Sequence, residues 1–538
     1  MNKKLGLAVL TAMIGTSVAY ANPDPKTIYP WVPIPKEQIT SKLKYLAEDN
    51  NPITNISQIN AQRLHKANTK IAPWTGPYWP LKQGGIANPY MERTFLSYAT
   101  FIPLIDAIEP YDKRKNYVET RFAQLSEKEI AKLAPSEKYD LLLGNDLDLS
   151  NRIWDFINQW KEDMKWNYIR SIDLPESEDG EDWEIEKKNY IVANWEGICH
   201  GWAPASGVIP KPQKTVNATL PDGRKVPFYP EDIKGLISQT WANSIIQDYV
   251  LSEGLRCKRR SPKRDKYGRY YDHIPENGEI LPRCADVHPA VMHLALVNLV
   301  GKQGRSFIID KAATIAVANQ PVKGYEFEYF DPYTGRDRKS FNEALRAYDE
   351  RLDLYRNERH PDTAFLVGVE STIIYADWGH IKKPSSRSYN KDKYSDLVSL
   401  YDLEIDKNGN IIGGQWRGYK DLNDYERAGS NEPDSPRMVV SRPDFFWVVP
   451  KDFSKFFQGP QLKEKWDIRS GKQAPMSWQT AAKNAHAFIY ENSKHYGNYE
   501  LCKVKNSDGV VKEVPCEFRY PRPQPLIQII NQLVDLSK

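Results

Sequence analysis

Cys199 is the residue of this chain whose surroundings best suit covalent chemistry, because it stands between glycines and tryptophans in NWEGICHGWAPAS, residues 194–206. A structural cysteine usually lies among aliphatic residues, whereas a nucleophilic cysteine needs nearby backbone donors and a partly exposed thiolate. Gly197 and Gly201 allow such close backbone approach. Pro204 predicts that at most a short helical turn carries the thiol. We therefore interpret Cys199 as a candidate nucleophile.

The other four cysteines can be drawn as two pairs, which leaves Cys199 alone among the five. Cys502 and Cys516 bracket two strand-like runs and a polar turn, so we expect a hairpin closed by a disulfide. Cys257 and Cys284 flank a loop rich in charge, proline and glycine, where we expect a second disulfide. Cys199 is then the unpaired thiol.

The N-terminus has the pattern of a secretory signal, which agrees with disulfides because they form in oxidising compartments. Lys3 and Lys4 precede an apolar run over residues 5–18, and small residues predict cleavage after Ala21. We expect a secreted or periplasmic protein, and no other run is long enough for a transmembrane segment. Removal of Lys3 and Lys4 changes the formal net charge from +4 to +2, which argues against nucleic acid as a partner.

Changes in composition divide the mature chain, which has room for two or three domains. Residues 22–170 join a segment rich in proline and aromatic residues to a helical N-terminal region, and they are a candidate propeptide. Residues 171–450 are the expected catalytic domain. Residues 451–538 are the expected C-terminal extension, which carries the disulfide hairpin and a final helix.

The spacing of apolar residues predicts both helices and strands, and hence an α+β fold. Helices are predicted over residues 136–143, 151–166, 230–245, 341–355 and 477–490 and at the C-terminus, with a further helix start at 126–129. Strands are predicted over residues 291–300, 306–310, 324–330, 363–376, 397–405, 411–416 and 445–449.

A predicted hairpin supplies a base for the thiol and a group that orients the base. His293 starts a strand-like run that turns at residues 301–304 and returns to Asp310. In the two registers that we consider, His293 lies either directly opposite Asp310 or diagonal to it on the same face. Both registers put the two Cβ atoms roughly 5 to 8 Å apart. Asp310 can therefore fix the tautomer of His293 and leave its other nitrogen for the thiol.

Ordinary structural roles compete with this interpretation. A histidine at a strand start is usually a surface or half-buried residue, and an aspartate at a strand end usually forms a turn. His288 and His380 are alternative bases, whereas His200 is a poor candidate because adjacent side chains generally point apart.

The Cys199 segment resembles the active-site segment of the transglutaminase elicitor family, secreted proteins of Phytophthora with relatives in bacteria. Asn319, Gln320, Pro321 and Val322 begin NQPVKGY, which resembles the immune-elicitor peptide of that family. Similar runs follow the family order: FYPEDIK at 228–234, the predicted hairpin at 289–310, IIGGQW at 411–416 and RPDFFW at 442–447. The resemblance is strongest over about residues 190–450, and a weaker resemblance begins near residue 74.

The resemblance implies a protein-glutamine γ-glutamyltransferase with a catalytic triad of Cys199, His293 and Asp310. It also implies a papain-like cysteine-enzyme core with a mixed or antiparallel sheet. Two positions depart from the family pattern. Ala318 replaces the tryptophan of the elicitor peptide, which weakens the expectation of immune recognition, and Arg442 replaces a histidine.

The implied chemistry is acyl transfer through a thioester. Cys199 would attack a glutamine carboxamide, with its own N–H and Asn194 as candidate oxyanion donors, and Trp195 and Trp202 as candidate residues that exclude water. A lysine or polyamine would then form the isopeptide. The expected partners are therefore proteins with accessible glutamine and lysine, and polyamines, and the sequence requires no cofactor.

Two other functions fit the same residues, and the metal requirement is unknown. A papain-like cysteine peptidase would use the same triad with water as the acceptor. A non-enzymatic surface recognition protein would instead present an exposed Gln320–Pro321 loop to a receptor. DKNGN at 406–410 begins like a calcium loop but is better interpreted as a hairpin turn, and the acidic residues 173–186 suit a solvated linker. A divalent cation such as Ca²⁺ or Mg²⁺ is therefore not excluded.

Overall fold

In the part of the chain that the structure describes, a nine-stranded antiparallel β-sheet lies between two hydrophobic cores. A computed structural model describes residues 35–81, 84–88, 122–144, 148–157, 196–244, 251–254, 263–264, 270–271, 287–311, 317–335, 340–353, 355–356, 359–379, 391–417, 443–451, 462–485, 501–505, 511–515 and 523–538. Helices and strands both contribute to these residues, as expected for an α+β fold, and every strand pairing among them is antiparallel.

The nine strands of the sheet come from distant parts of the sequence. They are β1 (Lys66–Asn68), β4 (Leu251–Gly254), β7 (Ile308–Asp310), β8 (Asn319–Phe330), β9 (Arg346–Ala347), β10 (Phe365–Ala376), β11 (Tyr394–Ile405), β12 (Ile411–Trp416) and β13 (Phe445–Val448). In space the main order is β12–β11–β10–β8–β7–β13–β4, with β1 paired to β8 and β9 paired to β10. Three two-stranded ladders stand apart from it: β2 (Val216–Thr219) with β3 (Lys225–Phe228), β5 (Lys263–Arg264) with β6 (Tyr270–Tyr271), and β14 (Leu501–Lys505) with β15 (Val511–Pro515).

Helices cover both faces of the sheet. They are α1 (Lys36–Ala47), α2 (Ile56–Ala61), α3 (Glu127–Ile130), α4 (Pro135–Leu143), α5 (Cys199–Ser206), α6 (Pro230–Ser244), α7 (Pro289–Ala295), α8 (Phe341–Ala344), α9 (Met476–Lys483) and α10 (Ile527–Ser537), with further helical residues at 148–157. Helix α5 packs on β8 and on α6 in the first core. Helices α1 and α7 pack together in the second core.

Neighbouring residues of β7 and β13 enter different cores, because successive side chains of a strand point to opposite faces. Ile308 pairs with Trp447, and both belong to the first core. Ile309 pairs with Phe446, and both belong to the second core. The alternation of the strands therefore decides which side chains can reach helix α5.

A β-bulge changes this alternation inside β8. Between Ile374 and Tyr375 of β10, the pairing skips Lys323 of β8, which is the extra residue. An extra residue reverses the face taken by the residues beyond it. Asn319 therefore faces the first core, whereas Tyr325 faces the second core. Without the bulge, the even separation of the two residues along the strand would place both on one face.

Both ends of the described chain complete these cores. Leu43 of α1 is buried in the second core, whereas Trp74 and Trp79 of the following extended segment are buried in the first. Leu533 of α10 is also buried in the first core, where α10 packs on α6. Loss of any of these segments would expose apolar surface of the body that carries Cys199. The predicted domain boundaries stay predictions.

Two predicted elements are wrong. Residues 291–300, predicted as a strand, form α7 and a π-helix (Leu296–Lys302). Every residue of the run is buried, including the polar His293 and Asn298, so the run lacks an amphipathic period, and Pro289 at the first helical position favours the helix. The predicted helix at 341–355 ends at Ala344, because the next residues pair with β10 as strand β9.

A fully buried ion pair fixes α6, the helix that supports α5. Lys138 Nζ of α4 lies 2.7 Å from Asp232 Oδ2, and neither side chain is exposed. The same carboxylate oxygen accepts the backbone N–H of Tyr229 at 2.7 Å, and the ammonium lies 4.3 Å from the centre of the Tyr229 ring. Burial lowers the pKa of Lys138, while Asp232 acts in the opposite direction.

Lys138→Met should lower the free energy of unfolding by about 3–5 kcal/mol, because it removes the cation that offsets the buried charge of Asp232. Addition of Asp232→Asn should recover a substantial part of that loss, since an asparagine oxygen still accepts the Tyr229 N–H. Urea unfolding of the wild type, the single variant and the double variant measures both effects. Equal losses in the two variants would contradict this account.

Candidate active site

The thiol of Cys199 lies at the first position of helix α5 and is buried, with 7% of the residue exposed. The first turn of a helix presents N–H groups that have no partner within the helix. The backbone N–H of His200 acts to lower the pKa of Cys199. The helix continues through Pro204 for eight residues, contrary to the prediction, because a proline this near its end removes only one helical bond.

Asn319 is the side chain that faces the sulfur. Its Nδ2 lies 3.4 Å from Cys199 Sγ, and its Oδ1 accepts the indole N–H of Trp447 at 2.9 Å. An indole nitrogen can only donate a hydrogen bond, so Trp447 fixes the carbonyl end of the amide and directs the NH₂ end at the sulfur. All three residues are buried. Trp447 therefore positions a donor for a thiolate or an oxyanion.

Asp310 lies beside Asn319 on the same face of the sheet. The two residues are direct partners in the β7–β8 ladder, and directly opposite residues project to one face. The Asp310 side chain is fully buried, and its Oδ1 accepts the backbone N–H of Ala318 at 2.8 Å. Its charge raises the pKa of Cys199. The structure thus brings Cys199 and Asp310, two of the three predicted catalytic residues, into one site.

Burial is the largest influence on the thiol, and it raises the pKa of Cys199 above its ordinary value. Hydrogen bonds from the side chain and backbone of Asn319 and from the backbone of His200 act in the opposite direction, whereas the Asp310 charge adds to burial. The site therefore holds a neutral thiol with donors for a negative charge already in place. The prediction that the Cys199 sulfur is partly exposed is therefore wrong for the free protein.

An N-terminal segment lies directly over the Cys199 segment. The Tyr78 carbonyl accepts the N–H of Ile198 at 2.7 Å, and Pro80 and Gly197 form a β-bridge. The Tyr78 ring lies 5.5 Å from the Trp378 ring. Burial raises the pKa of Tyr78, and the charge of Cys199 acts in the same direction. No local pattern in the sequence links this aromatic pair to the thiol.

The glycines beside Cys199 do permit close backbone approach, but the approaching backbone is the protein's own. A Cβ on Gly197 would lie 2.3 Å from the Tyr78 carbonyl oxygen, and a Cβ on Gly201 would lie 2.1 Å from the Ser238 carbonyl oxygen. Both distances are too short for an alanine. Gly201 lets α5 contact α6, and Gly197 lets the N-terminal segment contact the residues before α5. The two glycines therefore allow the thiol to lie between the N-terminal segment and α6.

His293 lies on α7 among residues of the second core and not beside the thiol. Its Nδ1 is 2.9 Å from the Tyr401 hydroxyl oxygen, its ring stacks 4.1 Å from that of Phe327, and its Nε2 has no hydrogen-bond partner among the described residues. Burial lowers its pKa to about 3. Neither nitrogen bonds to Cys199 or Asp310, so the predicted triad is not assembled. The cause is the helix that replaces the predicted hairpin.

The remaining predicted site residues have other roles or lie outside the described residues. Trp202 is fully buried, and its indole N–H donates to the Trp74 carbonyl at 3.1 Å, so it is a core residue and not a wall of a substrate cleft. His288 precedes α7 and is buried, and burial lowers its pKa to about 3. The residues that lie outside the described part of the chain are Asn194, Trp195 and His380.

The elicitor-like residues do not form an exposed loop. Asn319, Gln320, Pro321 and Val322 begin strand β8 and are buried, because β7 pairs with them and the two cores cover their faces. The expectation of an exposed Gln320–Pro321 loop is therefore wrong. The same residues contribute Asn319, which the sequence placed in this motif but did not connect with the thiol.

The predicted disulfides cannot be followed in the described residues. Cys257, Cys284 and Cys516 lie outside them, and so does the side chain of Cys502. Strands β14 and β15 pair with Cys502 opposite Val514. Both disulfides stay predictions, and Cys199 is a free cysteine.

Metal ligands do not cluster within the described residues, where no three His, Cys, Asp or Glu side chains converge on one point. Residues 406–410 form the turn between β11 and β12, with Asp406 Oδ1 accepting the N–H groups of Asn408 and Asn410 at 2.9 and 2.8 Å. The acidic residues 173–186 lie outside the described chain. Within the described residues, no helix is long and apolar enough to span a membrane.

The fold and the site define a class: an α+β protein with a buried cysteine at a helix start, facing an asparagine and an aspartate of an antiparallel sheet. Comparison with protein families matches residues 133–440, more than half of the chain, to the family described as Transglutaminase elicitor. The chain belongs to the transglutaminase elicitor family. Cys199, Asp310 and Asn319 all lie within the matched residues.

Among solved structures, the crystal structure of the GP42 transglutaminase from Phytophthora sojae is similar over 77% of this chain and 90% of that chain. The sequence identity is 19% and the TM-score is 0.42. We transfer no residue role from a similarity of this size. No curated protein matches the chain.

The raised pKa predicts slow alkylation of Cys199 by iodoacetamide at neutral pH, with a rate that increases through and above the ordinary thiol pKa of 9.0. Asn319→Ala removes a donor to the thiolate, so its rate at neutral pH should be lower by roughly tenfold. Mass spectrometry of the labelled protein over a range of pH measures the profile. Asn298→Ala, at a buried asparagine of the π-helix, is the matched control and should leave the profile unchanged. Equal profiles for the wild type and Asn319→Ala would contradict the proposed contact.

His293 should make the protein sensitive to acid. Its folded pKa is about 3, whereas the unfolded residue titrates near 6.5, so the unfolded state binds more protons between these values and stability falls as the pH falls through them. His293→Gln can still bond to Tyr401 but does not titrate. As the pH is lowered between these two pKa values, the urea midpoint of this variant should therefore fall less than that of the wild type. If the folded variant instead loses amine incorporation completely, His293 is catalytic after all.

Proposed function

We propose that this protein is a protein-glutamine γ-glutamyltransferase that uses Cys199 as its nucleophile. The observation that carries the proposal is the contact from Asn319 Nδ2 to Cys199 Sγ at the start of α5, with the amide held by Trp447. A thiol at a helix start with fixed donors suits acyl transfer, because the same donors can stabilise a thiolate and then an oxyanion. Membership of the transglutaminase elicitor family supports the choice of acyl group.

In the acylation step, Cys199 Sγ attacks the side-chain carboxamide carbon of a substrate glutamine. Asp310 accepts the thiol proton as the carbon–sulfur bond forms, since it is the described carboxylate whose charge acts on the thiol. The oxyanion receives hydrogen bonds from the Asn319 amide and the His200 N–H. Collapse of the intermediate breaks the carbon–nitrogen bond, and Asp310 returns its proton to the departing ammonia.

In the second step, a primary amine attacks the thioester carbon. Its proton passes to Asp310 and then to the departing Cys199 sulfur, which leaves an isopeptide bond and the original thiol. The burial of Cys199 beneath the segment that contains Tyr78 favours this outcome, because it limits access of water to the thioester. The acceptors are therefore lysine side chains of proteins or small polyamines.

A cysteine at a helix start, packed against an antiparallel sheet that supplies its polar neighbours, also supports a papain-like core. The proposal departs from the usual triad in one respect: an asparagine and not a histidine faces the sulfur, so the proton transfers are assigned to Asp310. We further propose that the protein is secreted by means of the signal predicted at residues 1–21 and that it acts on protein substrates outside the cell.

Purified mature protein should attach a fluorescent primary amine to casein and release ammonia. Cys199→Ala should do neither, because the acyl-enzyme cannot form. Asp310→Asn should lower the rate by at least about 100-fold, the size of one acid–base contribution. Asp396→Asn, at an exposed aspartate of β11, is the matched control and should retain full activity.

The assay is run with and without Ca²⁺ or Mg²⁺ and after limited proteolysis of residues before about 170. Chain cleavage without amine incorporation, lost in Cys199→Ala, would favour a cysteine peptidase. Neither cleavage nor incorporation under any condition would contradict both enzymatic functions and favour a recognition protein. Full activity of Asp310→Asn would overturn the assigned base but not the nucleophile.

A further inference from the structure

An ammonium group is enclosed by two aromatic rings and a carboxylate close to the thiol. The ammonium belongs to Lys311, which directly follows Asp310. Its Nζ lies 5.0 Å from the ring centres of both Tyr375 and Trp378, donates to the Tyr375 hydroxyl at 3.2 Å, and lies 3.9 Å from Asp377 Oδ1. We call Tyr375, Asp377 and Trp378 the ammonium box.

The box has the chemistry that binds a primary alkylammonium. Aromatic faces attract a cation within about 6 Å of the ring centre, and a carboxylate supplies the opposite charge. Asp377 is held in place by Ser395, whose hydroxyl donates to Oδ2 at 3.1 Å, and by the Trp378 N–H, which donates to Oδ1 at 2.9 Å. The Lys311 and Asp377 side chains are 25% and 24% exposed, so an amine from solution can reach the box.

The box is also next to the thiol. The Trp378 ring lies 5.5 Å from the ring of Tyr78, and the Tyr78 carbonyl accepts the N–H of Ile198, the residue before Cys199. On the other side, Lys311 is joined by one peptide bond to Asp310, whose ladder partner Asn319 has its Nδ2 3.4 Å from Cys199 Sγ. These two connections place the box one residue from Asp310 and in ring contact with the segment that covers Cys199.

We propose that the ammonium box is the subsite for the acceptor substrate, a lysine side chain or another primary alkylamine, and that Lys311 occupies it in the free protein. This proposal rests on the proposed transferase function. The acceptor ammonium displaces the Lys311 ammonium and binds between the two rings. It then gives one proton to water and attacks the thioester as the neutral amine, whose second proton passes to Asp310. The box therefore sets the preference for an amine over water.

The kinetic test compares amine transfer with ammonia release by hydrolysis. Lys311→Met keeps the apolar stem but removes the competing cation, so the KM for n-pentylamine should fall by at least about threefold, within the range of one cation–π interaction. Asp377→Asn should raise that KM by a similar factor. Ammonia release in the absence of amine should stay within about twofold of the wild type in both variants, because water does not use the box.

A matched control is available at Lys323, whose Nζ lies 4.1 Å from the centre of the Tyr394 ring. Lys323→Met removes a similar cation from a ring outside the box and should leave the KM for n-pentylamine unchanged. An equal change in Lys323→Met and Lys311→Met would indicate a general effect of net charge and would overturn the proposal, as would unchanged KM values in both box variants.

A binding measurement separates this proposal from the transferase function. In the Cys199→Ala background, which cannot turn over, ligand-observed NMR gives the Kd of n-pentylamine. Lys311→Met should lower this Kd by at least about threefold, and Asp377→Asn should raise it. If the wild type releases no ammonia but the variants still differ in Kd as expected, only the transferase function would be overturned. Equal Kd values in all variants would overturn the subsite.

Discussion

The pairing of strand β8 with β10 skips one residue of β8, Lys323. The side chains of the two strand segments on either side of this residue must face opposite sides of the sheet. On the N-terminal side, Asn319 has to face helix α5 to meet the sulfur of Cys199. On the C-terminal side, Tyr325 and Phe327 have to face the second core. An uninterrupted strand would send all three to one face. The bulge at Lys323 satisfies both requirements, and the site exists because of it.

The sequence predicted those parts of the structure whose signal is local. The helix at 230–244 shows an apolar stripe with a proline start, and strands β10 to β13 are β-branched and aromatic runs with clear ends. Cys199 was found because glycine and tryptophan around a cysteine are unusual for a core. The run at 291–300 failed because an apolar segment buried on all sides has no period that separates helix from strand.

The partners of Cys199 could not be predicted, because they depend on tertiary packing. Asn319 was chosen through its resemblance to a peptide motif, and no local pattern shows that its amide faces a sulfur 120 residues away along the chain. Tyr78 reaches the site through backbone hydrogen bonds of an extended segment, which carry no side-chain period. The predicted position of His293 is wrong for a different reason: the pairing argument treats residues 291–300 as a strand, whereas they are helical.

The burial of Cys199 has a consequence for the survival of the protein outside the cell. In the oxidising compartment that the N-terminus predicts, an exposed free thiolate would form mixed disulfides or be oxidised to a sulfenic acid, both reactions of the deprotonated sulfur. The raised pKa keeps the sulfur protonated, and the N-terminal segment and Asn319 restrict access to it. The arrangement that slows any reaction of the sulfur thus also preserves the free thiol.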